Sequence, residues 1–544
     1  MATTPTTARP RIRCASSGRQ HTPPSLDLDC RTVRSYTRRV LVSLSGMCVL
    51  AAPAADAEPF RAQATFGITE TLTNNVSLAP SGSAQSDLVT QLSPGIVFSE
   101  SSAHTSFQGT VAVPVVLYAR TSGNNQAYVQ ANVTGTVEGI ENFFFIDGSV
   151  DVSQQYLTPF GALPPGLSNA TGNRYTSGTY RLSPFIKGGR GNINYEVRDD
   201  NVWTTLNGAP FSLGGAYYNS LAARVARDPT PFGWKVEFNR TEVKFNEQQP
   251  LRTQLGRATL IHQPDPQLQL SVDAGYEDND YTFTQSRGAI YGVGVNWRPT
   301  IRTNLNAFWE HRFFGSSYLA SFDHRLPRTV FTLNASRNIT SYPQQLGALP
   351  SGFDIGFLVN QLFLSTIPDP VQRQLAVDQF IRNRGLPLGT LTSPVTLYTQ
   401  QISLQEQASA SIGLLGARNT VFLSVYYLHQ QPITAAGNDF PGFLSAANNI
   451  AQEGLSATWT HAVTPSVNFV LNGTFSRSLP NKVPETAIGT IGTTRQGYVI
   501  ATLSTSLSPN TSVSGGVRYQ LQRSDVAPGY TEAAAFVTLN HTFR

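Results

Sequence analysis

The chain has 544 residues, 13% of them charged and 40% hydrophobic, with 44 glycines, 34 prolines and a formal net charge of +5. That charge excess belongs to the N-terminus: eight Arg and three Asp precede residue 58, so the 39 basic and 34 acidic residues fall to 31 of each beyond it. Cys14, Cys30 and Cys48 lie there too, which excludes disulfide scaffolds, Cys-ligated metals and Cys nucleophiles from the rest, and no basic patch points to nucleic acid.

Near the N-terminus, Arg31, Arg34, Arg38 and Arg39 precede an apolar run over 40–50 that ends in Ala55-Asp56-Ala57. A basic segment, a short apolar core and an Ala-x-Ala site predict a secretory signal peptide over about residues 31–57, cut between Ala57 and Glu58. The first 30 residues, rich in Pro, Ser, Thr and Arg, do not fit a signal, so translation is expected to start further on, near Val33. Residues 58–544 are expected to form one domain. No later run of 18 apolar residues occurs, which excludes helical membrane spans.

Beyond residue 58 apolar and polar positions alternate over runs of ten or so. Leu268, Leu270, Val272, Ala274 and Tyr276 share one face, while Gln269, Ser271, Asp273 and Gly275 share the other. Ile301, Thr303, Leu305, Ala307 and Trp309 oppose Arg302, Asn304, Asn306, Phe308 and Glu310. Over 497–522 two such runs flank Ser508-Pro509-Asn510, which is turn chemistry. Period two is strand periodicity, and about ten residues cross a bilayer at a tilt.

The breaks between runs come in two lengths. Short ones at 101–102, 141–142, 188–191, 228–231, 264–266, 298–300, 326–328, 416–419, 464–465 and 508–510 alternate with others that are mostly longer and more polar. The latter lie at 73–86, 121–125, 158–173, 207–212, 246–250, 277–286, 315–317, 338–394, 430–449, 479–494 and 523–530. The pattern predicts an all-β chain: a transmembrane antiparallel β-barrel of about 22 strands, within 18–24. Its short turns are expected in the periplasm, its long loops outside the cell, and one loop is helical. A lumen that wide cannot be filled by side chains, so the polar face lines water and the apolar face meets lipid. Trp234 and Trp297 near short turns, and Trp309 near the other strand end, fit interfacial girdles. In the last strand Val537, Leu539, His541 and Phe543 share a face, and Phe543 is expected to be part of the signal read by the barrel assembly machinery, although Arg544 follows it.

The N-terminal third carries distinctive strings. Residues 69–94 read TETLTNNVSLAPSGSAQSDLVTQLSP, 117–125 LYARTSGNN, 140–161 IENFFFIDGSVDVSQQYLTPFG and 169–184 NATGNRYTSGTYRLSP. Over about residues 61–190 the chain resembles the outer-membrane β-barrel family associated with the PEP-CTERM/exosortase system, related to barrel porins of exopolysaccharide gene clusters. The resemblance implies the outer membrane of a Gram-negative bacterium. It implies a role in export or surface assembly of exopolysaccharide and sorted proteins, and it brings no catalytic residues.

The loop at 338–394 alone has helical character. Asp369 and Pro370 suit a helix start, Val371, Leu375, Asp378 and Ile381 follow at helical spacing, and Gly385 suits its end. A more apolar segment, with Phe353, Phe357, Leu358, Leu362 and Phe363, precedes it. Apolar helices need cover, so Phe353, Phe357, Val371, Leu375 and Ile381 are candidates for a constriction folded into the lumen; the alternative is a helical hairpin closed over the rim. Candidate lumen charges are Glu196, Arg198, Asp200, Arg302, Glu310 and Arg312, of mixed sign and without preference for anions or cations. Glu277, Asp278 and Asp280 lack the spacing of a calcium loop, and no metal or cofactor is expected. Catalytic fingerprints are absent, and the scattered histidines read as interfacial. The reading is a non-enzymatic, porin-like conduit or scaffold. The alternatives are a lipid or polysaccharide hydrolase built on a barrel and a closed structural or adhesive barrel. The expected partners are outer-membrane lipid, the barrel assembly machinery, exopolysaccharide and export-system proteins, with no nucleic acid.

Overall fold

A computed structural model describes residues 60–208, 214–245, 250–281, 285–347, 355–364, 366–368, 370–384, 386, 394–396, 399–433, 449–481 and 492–543. The signal segment and its cleavage pair Ala57 and Glu58 lie outside these residues, as do Phe353, Asp369 and Gly385.

The strand segments form one antiparallel sheet in which each spanning strand pairs with the next in sequence. Twenty-four segments make 22 spanning strands, because two strands are interrupted. Thr105–Ala112 continues as Val115–Tyr118, and both pair with Asp87–Ser101. The gap falls at Val113-Pro114, and Pro114 has no N–H to give the ladder. The next strand is divided at the same level into Gln126–Ala127 and Gln130–Ile140.

Arg61–Thr73 then pairs with Tyr530–Thr542, from Thr65 opposite Thr542 to Thr73 opposite Ala534, and this seam closes the barrel. The Phe543 amide extends the seam by donating to the Ala64 carbonyl at 2.8 Å. Phe543 is exposed there, its ring edge-on to His541. Strands spaced about 4.8 Å apart and tilted about 40° put the 22-strand wall about 44 Å across, far more than two side chains can span.

The outward face carries the apolar residues. Leu270, Val272 and Tyr276 are exposed, and they pair on that face with Val295, Val293 and Ala289. From Leu268 to Tyr276 there are eight residue rises of about 3.4 Å, which at about 40° of tilt give a belt about 21 Å tall. All five tryptophans follow the outward parity: Trp234, Trp297 and Trp459 near short turns, Trp203 and Trp309 near the other end. Above the belt the outward face turns charged, with Arg240, Lys244 and Arg252 around Glu242 at 3.8, 2.9 and 3.2 Å.

Strands extend further than the sequence breaks imply. Leu268–Asp280 takes in the first part of the 277–286 break, so Glu277 and Asp278 fall on opposite faces instead of gathering in a loop. Glu277 is buried on the lumen side against Arg312, whereas Asp278 points outward to Arg287 at 3.0 Å. Among the described residues no group of three His, Cys, Asp or Glu is placed to hold a metal.

Candidate functional site: the barrel lumen

Two segments from the long-loop end fold inward and occupy the lumen. The first includes helices α1 (Tyr342–Gly347), α2 (Ile355–Phe363) and α3 (Pro370–Arg384). α1 leaves the strand Thr329–Thr340 and reaches across to the wall near Arg174–Arg190 and Ala216–Arg227. There the Tyr342 and Tyr175 hydroxyls are hydrogen-bonded at 2.8 Å, and Gln344 Nε2 donates to the Tyr218 hydroxyl at 3.4 Å. Tyr342 is fully buried, so the helix is packed in place.

α2 and α3 run deeper. Ile355, Leu358, Val359 and Leu362 of α2 pack with Val377 and Ile381 of α3 in one buried cluster, completed by Val330 and Phe422 from the wall. Both wall residues have lumen parity: Val330 alternates with outward Phe331, and Phe422 with outward Leu423. Both also sit next to short turns, so the helices reach the short-turn end of the lumen. There Arg384 Nη2 donates to the Ala417 carbonyl at 3.0 Å. Phe357 packs at the edge of the cluster with Phe363 and Phe380. Val371 and Leu375 lie on α3, but their side chains are outside the described residues. At the upper level Gln452 holds residue Val395 through both its amide atoms, at 2.9 and 3.0 Å.

The second inward segment is the loop after Phe144–Tyr156. It crosses to the strands beside the seam, where Gln496 and Gln522 donate to the Pro159 and Phe160 carbonyls, each at 3.1 Å. Its tip enters a buried polar network. Arg518 pairs with Glu532 at 2.7 Å and donates to Ser168 and Asn169 at 3.2 and 2.9 Å. Glu532 also accepts from Thr73 at 2.7 Å, Gln520 at 3.1 Å and Asn169 at 3.3 Å. A carboxylate with no solvent exposure is costly, and these donors with the guanidinium offset that cost.

The candidate lumen charges are mostly paired. Glu196 and Asp147 hold Arg198 at 3.3 and 2.8 Å, and Asp200 accepts from Ser183. Glu310 meets Arg257 at 2.8 Å and Arg312 at 3.7 Å, while Arg312 is bound more closely by Glu277 at 2.6 Å. Arg302 stands apart from them, exposed in the short turn before Thr303–Arg312. Between this charged wall and α1 lies a cavity of about 410 Å³, lined by Arg198, Arg224, Arg257, Arg312 and Gln344 among others. Arg257, Arg518 and Glu532 were not singled out in the sequence, and Glu277 was considered there only as part of an outer acidic loop. Their lumen parity was legible, but their partners come from distant strands and loops. Val330 and Phe422 did carry a signal: each is apolar at a position where its strand's parity calls for a polar residue.

The histidines follow the outward parity or lie at the rim. His262 stacks on Phe232, His311 on Tyr291 and His324 on Phe322, while His104 stands in a short turn beside Glu138.

A closed sheet with an oily exterior, aromatic borders and a polar interior fits a bilayer and has no edge left to satisfy. This is an outer-membrane β-barrel. No protein-family model matches the chain, and no curated protein does. Solved structures similar to the barrel include the siderophore receptor PirA from Pseudomonas aeruginosa, at 10% identity and TM-score 0.42, covering 91% of this chain and 81% of that one. OccK2 from the same organism is similar at 8% identity and TM-score 0.33, over 88% and 98%. Acinetobacter baumannii OccAB1 is similar at 8% identity and TM-score 0.32, over 89% and 96%.

Proposed function

We propose that the barrel is a porin-like, non-enzymatic conduit of exopolysaccharide- and PEP-CTERM-linked export, narrowed by its own long loop. The observation that carries the reading is the packing of α2 and α3 on Val330 and Phe422 at the far end of the lumen. A wall about 44 Å across leaves room for such an element without sealing the barrel. The link to exopolysaccharide rests on the residue strings between 69 and 184, whose resemblance suggested it. The partners in this reading are lipid around the belt, the assembly machinery acting on the strand that ends near Phe543, and the polymer and export proteins.

Removing residues 353–385 tests it. Single-channel conductance in planar bilayers should rise, and unchanged conductance would remove the constriction. The second inward loop, at 158–173, favours one other reading, a closed structural barrel. A liposome-swelling assay with oligosaccharides separates the two, since a closed barrel gives no swelling.

A further inference from the structure

The short-turn rim of the lumen carries a collar of arginines that, among the described residues, forms no ion pair. Arg302, Arg325, Arg328 and Arg418 come from three turns of one arc of the wall, and Arg373 and Arg384 come from α3 inside it. The charges of Arg302 and Arg373 both act on Arg325, and Arg384 is bonded to the carbonyl next to Arg418. Among the described residues none of the six forms an ion pair within 4.0 Å. Elsewhere in the lumen Arg198, Arg257, Arg312 and Arg518 each have a carboxylate. Two of the collar's nitrogens, Arg325 Nη1 and Arg384 Nη1, are buried without a hydrogen-bond partner. Asp323, one lumen position from Arg325, offsets part of this charge, and the one acid in the α3 sequence, Asp378, has its side chain outside the described residues.

A guanidinium cluster left unneutralised at an aqueous mouth repels itself unless an anion joins it, and it concentrates anions from solution. We propose that the collar receives a carboxylate-bearing glycan from the periplasmic side, so that the polymer handled by the conduit is anionic. The inference rests on the conduit reading above. Lipid headgroups do not account for the collar, because Arg373 and Arg384 lie inside the wall. A folded acidic protein seated on the turns would meet Arg302, Arg328 and Arg418 first, whereas Arg373 and Arg384 stand on α3 within the wall. A hydrated linear chain reaches both sets.

The full mature chain, refolded into nanodiscs, is titrated with polygalacturonate, with its neutral methyl ester and with polyglutamate, and compared with the rim variant R302Q/R328Q/R418Q. The three rim residues are exposed, so the variant keeps the packed interior. Polygalacturonate should bind in a salt-sensitive manner, the variant should bind it at least about tenfold more weakly, and the ester should not bind. Equal affinity of variant and parent, or binding of the ester, would overturn the proposal. Polyglutamate binding as tightly as polygalacturonate would overturn the glycan assignment in favour of an acidic polypeptide. Binding is read without current, so a barrel that conducts nothing yet binds the polyanion would fail the conduit reading alone.

Discussion

Replacing Phe422 with Ala tests whether the inward helices are held by the wall. The ring is fully buried between the strand Asn419–Pro432 and the α2–α3 cluster. Seven residues of the long loop are buried in that cluster. At roughly 1.5–3 kcal/mol each they gain about 10–20 kcal/mol, an upper value because the two helices share part of it with each other. The parent should therefore leave its docked state rarely. A buried Phe→Ala change costs about 3–5 kcal/mol, which raises the undocked population by about two to four powers of ten while leaving docking favoured. In planar bilayers F422A should then flicker to a higher conductance level that the parent visits seldom. Heat-modifiable migration on gels should stay unchanged, because the neighbouring Val421 and Leu423 still face lipid. An F422A trace identical to the parent's, in a barrel that migrates normally, would refute the reasoning.

Three further outcomes follow from the same geometry. R518A strands Glu532 in a buried site and should cost about 3–5 kcal/mol, read as a lower denaturant midpoint in micelles, with R518M/E532L milder; equal losses would mean the ion pair is not the cause. V272K places a cation in the lipid-facing belt and should cost about 2–4 kcal/mol of folding free energy in liposomes, whereas S271K, facing water, should cost far less; similar losses would contradict the assigned faces. Brominated lipid should quench most of the tryptophan emission, since all five indoles have outward parity; emission that stays unquenched would place them away from lipid.

The barrel was legible because its information is local. Each strand carries its own two-residue period, and the alternation of short and long breaks fixed strand number and sidedness without any tertiary contact. The helix Pro370–Arg384 was equally readable from Asp369-Pro370 and the apolar spacing after them. What lies inside the lumen was less so. Tyr342 finds Tyr175 across 167 residues, and Arg518 finds Ser168 across 350. No periodicity encodes such pairs. The split at Val113-Pro114 was announced only by the proline, and Arg302 was assigned to the lumen by extending strand parity one residue into a turn.

The seam has a bearing on biogenesis. It joins the first spanning strand to the last, so the cylinder stays open until the C-terminal hairpin arrives. Glu532, on that final strand, accepts at once from Thr73 of the first strand and from Asn169 at the tip of the second inward loop. Zipping the wall shut and latching its contents are therefore one event, and a chain that ends early forfeits both.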